Sequence, residues 1–425
     1  MEWLTVLRIL VRVLSTFTLV ILFYQVVVAL CSFLKRPSKR VVDEREHTFA
    51  IVISARNEQT VIGYLVDSLL AQEYPKDKFD VYVVADNSTD NTAAVARAHG
   101  AITYERDQLD KCGKGFALQF IFDIITRQGK SYDAYCIFDA DNLVDKGYLA
   151  AMNRQLCRGV EVAQGYRDIK NPSDSWVSGC YAIYFWCLSR FFLRARDNIG
   201  LSCIASGTGF MFRSDLLGRE GWITNTITED SEFSFRQILA GKKVHFAEDA
   251  VFYDEQPTAF KQSVRQRYRW AVGNLQCLKL FTPKLLTRTD RKLGMARLDL
   301  LVYLLGIPCS GLALISSVLT LIVGWAGQAH WYIIVLSGVI SGLVSILAML
   351  AHGLLTVLLE RKDPRKVWKG ILGWPLFLFT WMWINLAAIF YRNPIWKPVH
   401  HTRSIGIESM EQECASSLGK ENTGS

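Results

Sequence analysis

The sequence predicts an α/β domain, built on a mainly parallel sheet, inserted between membrane-crossing helices. Three observations predict it. Short β-branched runs ending in polar residues alternate with amphipathic segments through the middle of the chain. Apolar stretches of a length that can cross roughly 30 Å of hydrocarbon flank that middle. Half of the 425 residues are hydrophobic, more than a soluble enzyme needs.

Taken in order, the first apolar stretch covers 13–34. Arg8 and Arg12 precede it, and Lys35, Arg36, Lys39 and Arg40 follow without a small-residue cleavage pattern, so it reads as a retained anchor and not a cleaved leader. The first strand runs from Phe49 to Ser54, with an amphipathic segment near 59–72 behind it. A second runs from Asp80 to Ala85, after which Asp90, Asn91 and Thr92 cap a helix that reaches about His99. The third, Ala134 to Phe138, runs straight into Asp139. Alternating strands and helices argue a parallel sheet, whose ligands bind outside the carboxyl ends of the strands.

Two aromatic, basic stretches come next. Residues 174–200 combine Trp176, Tyr181, Tyr184, Phe185, Trp186, Phe191 and Phe192 with Arg190, Arg194 and Arg196, which fits a helix in the membrane interface or an ordinary core helix. Residues 257–292 carry Phe260, Tyr268, Trp270 and Phe281 among arginines and lysines and suggest a second interfacial helix. Apolar stretches at 298–325, 331–358 and 371–391 bring the membrane segments to about four. Arg361, Lys362, Arg365, Lys366 and Lys369, like the cluster after the first stretch, mark a cytoplasmic side. If all four stretches span, the basic tail emerges outside. One stretch is therefore expected to be re-entrant or interfacial, with Pro308 or Trp374-Pro375 as break points.

Composition excludes several classes. Ten cysteines without a CxxC pair suggest neither a zinc site nor a disulfide framework. The net charge of +8 gathers beside membrane segments, which fits anionic headgroups, and no nucleic-acid motif is visible. The P-loop consensus is missing, which speaks against an NTPase. His400 and His401 without a third ligand read as surface residues.

Five motifs then follow in fixed order: Ser54-Ala55-Arg56-Asn57-Glu58, Ala85-Asp86-Asn87-Ser88-Thr89-Asp90, Phe138-Asp139-Ala140-Asp141, Thr228-Glu229-Asp230 and Gln266-Arg267-Tyr268-Arg269-Trp270. On an extended strand end, Asp139 and Asp141 would present hard oxygens to Mg²⁺ or Mn²⁺. Glycines beside Lys114 permit close backbone approach, and its ammonium suits a nucleotide. Glu229, Asp230 and Glu232 also suit a helix N-terminus. Gln266 and Arg269 share one helix face.

The ordered set resembles the family 2 inverting glycosyltransferases, in particular the membrane-embedded cellulose, hyaluronan and poly-N-acetylglucosamine synthases. That resemblance implies a GT-A-type nucleotide-sugar-binding domain. It places Arg56, Glu58, Asp86, Lys114, Asp139, Asp141 and Arg269 on the UDP-sugar, with Asp139 and Asp141 on the metal. It makes Asp230 the general base and puts Gly207, Thr208, Gln266 and Trp270 on the acceptor. The family's Asp-Asp-Gly-Ser reads Ala85-Asp86-Asn87-Ser88 here, so the first acid is missing.

We therefore expect an anchor over 1–36, a cytoplasmic glycosyltransferase domain over 37–256, interfacial helices over 257–297, membrane helices over 298–391, and a basic then flexible tail over 392–425. Processive transfer from a UDP-sugar to a polysaccharide, coupled to export, is the first functional expectation. The alternative is a non-processive transferase for a glycolipid acceptor, and a third reading is an inactive scaffold subunit. Three C-terminal segments are fewer than larger export synthases use, so an accessory subunit or a homodimer is expected to complete a channel. Membrane lipids are expected partners, and nucleic acid is not.

Overall fold

The structure, a computed structural model, describes residues 2–35, 41, 44–218, 220–287, 294–326, 330–390 and 406–407. Arg36, Lys39, Arg40 and the tail with His400 and His401 lie outside the described residues. The chain divides into two compact units. One comprises Met1–Lys35, Pro172–Ile199 and Pro257–Ile395, the other Arg36–Asn171, Gly200–Gln256 and Trp396–Ser425.

The second unit is the α/β domain. Its elements are β1 (Phe49–Ala55), α2 (Ile62–Leu70), β2 (Phe79–Asp86), α3 (Thr92–Ala98), β3 (Ile102–Arg106), α4 (Lys114–Arg127), β4 (Ala134–Asp139), β5 (Leu143–Val144), α5 (Tyr148–Cys157), β6 (Val162–Ile169), β7 (Phe210–Arg213), α8 (Glu229–Leu239) and β8 (Val244–Asp254). Among the described residues, eight strands form one sheet in the order β3-β2-β1-β4-β7-β6-β8-β5. The first four run parallel. Then β7 lies antiparallel between β4 and β6, so the far half of the sheet is mixed.

Helices cover both faces of the inner parallel strands, so β1 is apolar without alternation, and Phe49, Ala50, Ile51, Val52 and Ile53 are all buried. Asp90 opens α3 by accepting from the Thr92 N–H at 3.0 Å. Register sets Ser54 beside Asp139 and Asp86 beside Arg106, bringing the polar strand ends to one edge.

The other unit is helical: α1 (Glu2–Leu30), α6 (Trp176–Cys187), a π-helical turn Leu188–Arg194 leading into α7 (Ala195–Asn198), α9 (Phe260–Thr287), α10 (Gly294–Leu304), α11 (Gly306–Ala326), α12 (Trp331–Leu359) and α13 (Pro364–Phe390). Among the described residues, four stretches, Trp3–Phe33, Gly306–Ala326, Tyr332–Leu359 and Pro364–Phe390, are long and apolar enough to cross a membrane. The apolar run expected over 298–325 is divided at Leu305. Pro308 falls in the first turn of α11, where a missing N–H costs nothing. By contrast, α13 passes through Pro375 unbroken.

Glycines let α6 and α13 touch: a Cβ on Gly370 would lie 2.4 Å from the Gly179 carbonyl carbon. A buried ion pair joins α7 to α10, with Arg196 Nε 2.9 Å from Asp299 Oδ2, and Tyr24 of α1 donates to the same carboxylate.

The course of α13 is informative. It starts at the turn after α12, where Arg190 donates to the Leu359 carbonyl and to Glu360 while its guanidinium covers Phe33. Hence the carboxyl end of α1 and the end of α12 lie together. Residues Phe377 and Thr380 then receive Arg267 of α9, and Asn385 donates to Ser310 near the start of α11. Because Gly324 of α11 abuts Ile334 of α12, these two helices form a hairpin with the start of α11 and the end of α12 on one side. Helix α13 joins those two points across that side.

Candidate functional site

Asp139 is the last residue of β4, and the chain turns immediately after it. The Asn142 N–H donates to the Asp139 carbonyl at 3.1 Å. Asn142 also accepts at its side chain from the Asp139 N–H, at 3.2 Å. Asp139 thus ends the extended strand as expected, while Asp141 lies in the turn and not on extended backbone, because the Asn142 side chain closes the turn on the strand's last N–H. Both acids stay partly exposed at the edge of the sheet.

Across from this turn, Gly113 holds φ of 127°, a conformation open to glycine, and starts α4 with Lys114 in its first turn. The Lys114 ammonium donates to Asp139 Oδ1 and, at 2.7 Å, to the Gly207 carbonyl. Burial alone would lower the lysine. The carboxylates of Asp139, Glu229 and Asp230 outweigh it and hold the ammonium above its ordinary value.

The Gly207 N–H, on the other side of its Cα, serves Asp230, since it and the Ser231 N–H hydrogen-bond to the Asp230 carboxylate. Glu229 and Asp230 open α8, as the acidic first turn predicts. Burial raises Asp230 above the usual carboxylate range, and burial with repulsion from Asp230 pushes Glu229 up to about 7. Asp139, Lys114, Gly207 and Asp230 thus form one hydrogen-bonded chain.

Thr208 continues it, accepting from the Asp139 N–H at 2.9 Å and donating to Asn142. Gly209 must be glycine: its φ is 62°, and a Cβ there would lie 2.0 Å from the Phe252 ring.

Asp86 is buried at the end of β2, where its Oδ1 lies 2.5 Å from Nη1 of the equally buried Arg106. Asn87, at φ 52°, donates to the same oxygen at 2.9 Å, and Arg106 also donates to the Lys111 carbonyl at 2.7 Å. Arg56 and Glu58 follow β1 in a loop tied to the second motif. There Asn57 N–H donates to Ser88 and Glu58 N–H to Thr92, the latter at 2.8 Å.

Sequence reasoning missed Arg106, Asn142, Arg167 and Asp254. Asp254 ends β8 and accepts from Asn142 at 2.9 Å, while Arg167 Nη1 stands 3.2 Å away. Burial pushes Asp254 up to about 7 against the Arg167 guanidinium, and Asp141 and Asp139 add to the rise. No short-range pattern joins these residues, since Arg106, Arg167 and Asp254 come from three different strands and Asn142 from the turn after β4.

Among the described residues, no three His, Cys, Asp or Glu side chains converge as a metal cage. The donor set nonetheless fits Mg²⁺ or Mn²⁺. Asp139 already faces a cationic group, and two carboxylates completed by substrate phosphates are a common magnesium arrangement.

The remaining motif lies in the helical unit. Gln266, Arg269 and Trp270 are half-buried on α9, and Trp270 joins Tyr184 and Trp381 in a group of near-parallel rings with centroids 6.2 and 6.3 Å from its own. Its deeply buried member is Arg267, which donates to the Phe377 carbonyl at 3.0 Å and lies over that residue's ring.

Residues 47–273 match the family described as Glycosyltransferase like family 2. A beta-monoglucosyldiacylglycerol synthase of Synechocystis sp. is 30% identical over 237 residues, 53% of this chain and 47% of that protein. The poly-beta-1,6-N-acetyl-D-glucosamine synthase of Staphylococcus aureus is 26% identical over 253 residues, 57% of this chain and 58% of that protein. The chain spans about half the length of the curated relatives it matches. Among solved structures, the mannosyltransferase PcManGT from Pyrobaculum calidifontis, in complex with GDP-Man and Mn²⁺, shares the fold. Its TM-score is 0.63 at 19% identity, covering 91% of this chain and 98% of that one.

Proposed function

The chain belongs to glycosyltransferase family 2, and from that premise we propose that it transfers a sugar, with inversion, from a UDP-sugar to an acceptor held at the membrane. The observation that carries this reading is the link from Asp139 through Lys114 and the backbone C=O and N–H of Gly207 to Asp230. It sets a donor-binding carboxylate and a prospective base on either side of one glycine.

Asp139 and Asp141 are the residues to hold a divalent cation, whose chemistry is charge neutralisation of the diphosphate. Lys114, in the first turn of α4, adds positive charge at a helix N-terminus suited to phosphate. Asp86, Arg56 and Glu58 line the strand-end edge expected for the nucleoside, and Arg269 is assigned to the diphosphate. Asp230 takes the proton from the acceptor hydroxyl as that oxygen attacks the anomeric carbon. A carboxyl raised by burial is a better base for this step than a solvated one. Gly207 and Thr208 leave room for the acceptor terminus, with Gln266 and Trp270 assigned to the acceptor as well.

The domain is proposed to face the cytoplasm. Lys35 follows the end of α1, and the basic residues from Arg361 to Lys369 surround the turn between α12 and α13; both regions lie on one side of the helical unit. Since α13 begins and ends on that same side, we take α1, α11 and α12 as the crossings and α13 as an interfacial helix.

A processive polysaccharide synthase is the first acceptor reading, completed by an accessory subunit or second copy. The similarity to a glucosyldiacylglycerol synthase favours a lipid acceptor as the second. The test gives detergent-solubilised protein a panel of labelled UDP- and GDP-sugars with Mg²⁺ or Mn²⁺ and separates the products by size and by organic extraction. High-mass, water-soluble label supports polymerisation, and label in the organic phase identifies a lipid acceptor. No transfer from any donor rejects the enzyme reading.

A further inference from the structure

We propose that Asp254 is a positioning residue of this centre, fixing the Asp139–Asp141 turn through Asn142 and the Ser206–Gly207 loop through Arg167. The proposal rests on the reading of Asp139 and Asp141 as metal ligands. Asp254 is 7% exposed, and both its oxygens are engaged. Oδ1 accepts from Asn142 Nδ2 at 2.9 Å, and Oδ2 accepts from Gln256 Nε2 at 2.7 Å with Arg167 Nη1 at 3.2 Å. So committed, the carboxylate holds its neighbours in place.

What it holds is the direction of one amide. An asparagine presents donors on one side and an acceptor on the other, and the Asp254 oxygen that faces Asn142 accepts. Facing Asp254, Asn142 must offer its Nδ2, which also reaches Asp141 Oδ1 at 3.3 Å. The amide oxygen is then turned toward the Asp139 N–H and the Thr208 hydroxyl. One buried carboxylate thereby sets the turn that presents both acids. Through the Arg167 guanidinium, which donates to the Ser206 carbonyl, it also holds the loop whose next residue contacts Lys114 and Asp230. Residues that orient metal ligands from behind typically change metal affinity about 10–100-fold when altered.

The experiment measures Mn²⁺ affinity by electron paramagnetic resonance on the full detergent-solubilised chain with UDP present. Asp254→Asn and Asn142→Ala should each weaken Mn²⁺ binding about 10–100-fold. The loss in the double variant should fall well short of the two single losses combined, because Asp254 reaches the Asp139–Asp141 turn through Asn142 and only the Ser206–Gly207 loop separately, through Arg167. Gln256→Ala, which removes another donor from the same carboxylate, should stay within about twofold of wild type. A purely structural role predicts additive losses and a comparable effect of Gln256→Ala, and either result overturns the proposal. Unchanged affinity in Asn142→Ala overturns it even if Asp254→Asn fails to fold. A wild-type chain that binds no Mn²⁺ with UDP refutes instead the ligand assignment of Asp139 and Asp141.

Discussion

Removing Arg106 should damage the chain far more than removing an arginine one helix away. The Arg106 and Asp86 side chains are 2% and 4% exposed and meet at 2.5 Å, so Arg106→Ala leaves a carboxylate buried without its main counter-charge. Asp86 would retain the Asn87 amide at 2.9 Å and a long contact to the Gly113 N–H at 3.5 Å. The Lys111 carbonyl and the Gln108 side chain would each lose a donor. Breaking a buried pair from one side costs about 3–5 kcal/mol. For a domain of this size, that corresponds to a melting point lower by roughly 6–20 °C.

Arg97 pairs with Glu105 at 2.7 Å, but the two side chains are 49% and 56% exposed. Arg97→Ala should therefore cost about 0–1 kcal/mol. Thermal unfolding of the two variants, followed by fluorescence, compares them directly. Replacing both partners, Arg106→Met with Asp86→Leu, should recover much of the loss. Equal melting points for Arg106→Ala and Arg97→Ala would refute the reasoning.

Asp230→Asn should keep UDP affinity within about threefold while transfer falls about 10²–10⁴-fold, the usual span for a general base; titration calorimetry beside a transfer assay separates the two effects, and near-wild-type transfer rejects the role. Gly209→Ala meets the Phe252 ring at 2.0 Å with φ of 62°, so overpacking and the left-handed backbone together should cost about 2–5 kcal/mol, read as a lowered melting point. Gly370→Ala sets a methyl 2.4 Å from the Gly179 backbone and should loosen α6 from α13, seen as faster proteolysis between them, whereas Gly338→Ala, with nothing near its Cβ, should be silent.

Much of the sheet's parallel half was legible because its signals are local. β1, β2 and β4 carry apolar runs that lead into the polar residues Ser54, Asp86 and Asp139, and Asp90 accepts from the Thr92 N–H at the start of α3 as its position suggests. The other half was not read, because β6 interrupts its apolar residues with Gln164, Arg167 and Asp168, and β5 is two residues long. Those strands take their shape from pairing with distant partners, and short apolar runs do not reveal pairing.

The same division holds at the site. Asp86, Lys114, Asp139, Asp141 and Asp230 stand in motifs, while Arg106, Asn142 and Asp254 acquire their contacts only when separate strand ends meet. Arg267 was passed over within its own motif, since spacing alone does not distinguish the buried arginine from its half-buried neighbour Arg269.

Stereochemistry tests the central claim most directly. With a donor that the chain accepts, the anomeric configuration of the newly formed bond can be read by proton NMR from its coupling constant. Direct displacement with Asp230 as the base predicts that an α-linked UDP-sugar gives a β-linked product. An α-linked product would contradict the account, because retention requires a second displacement or a different arrangement of the reacting groups.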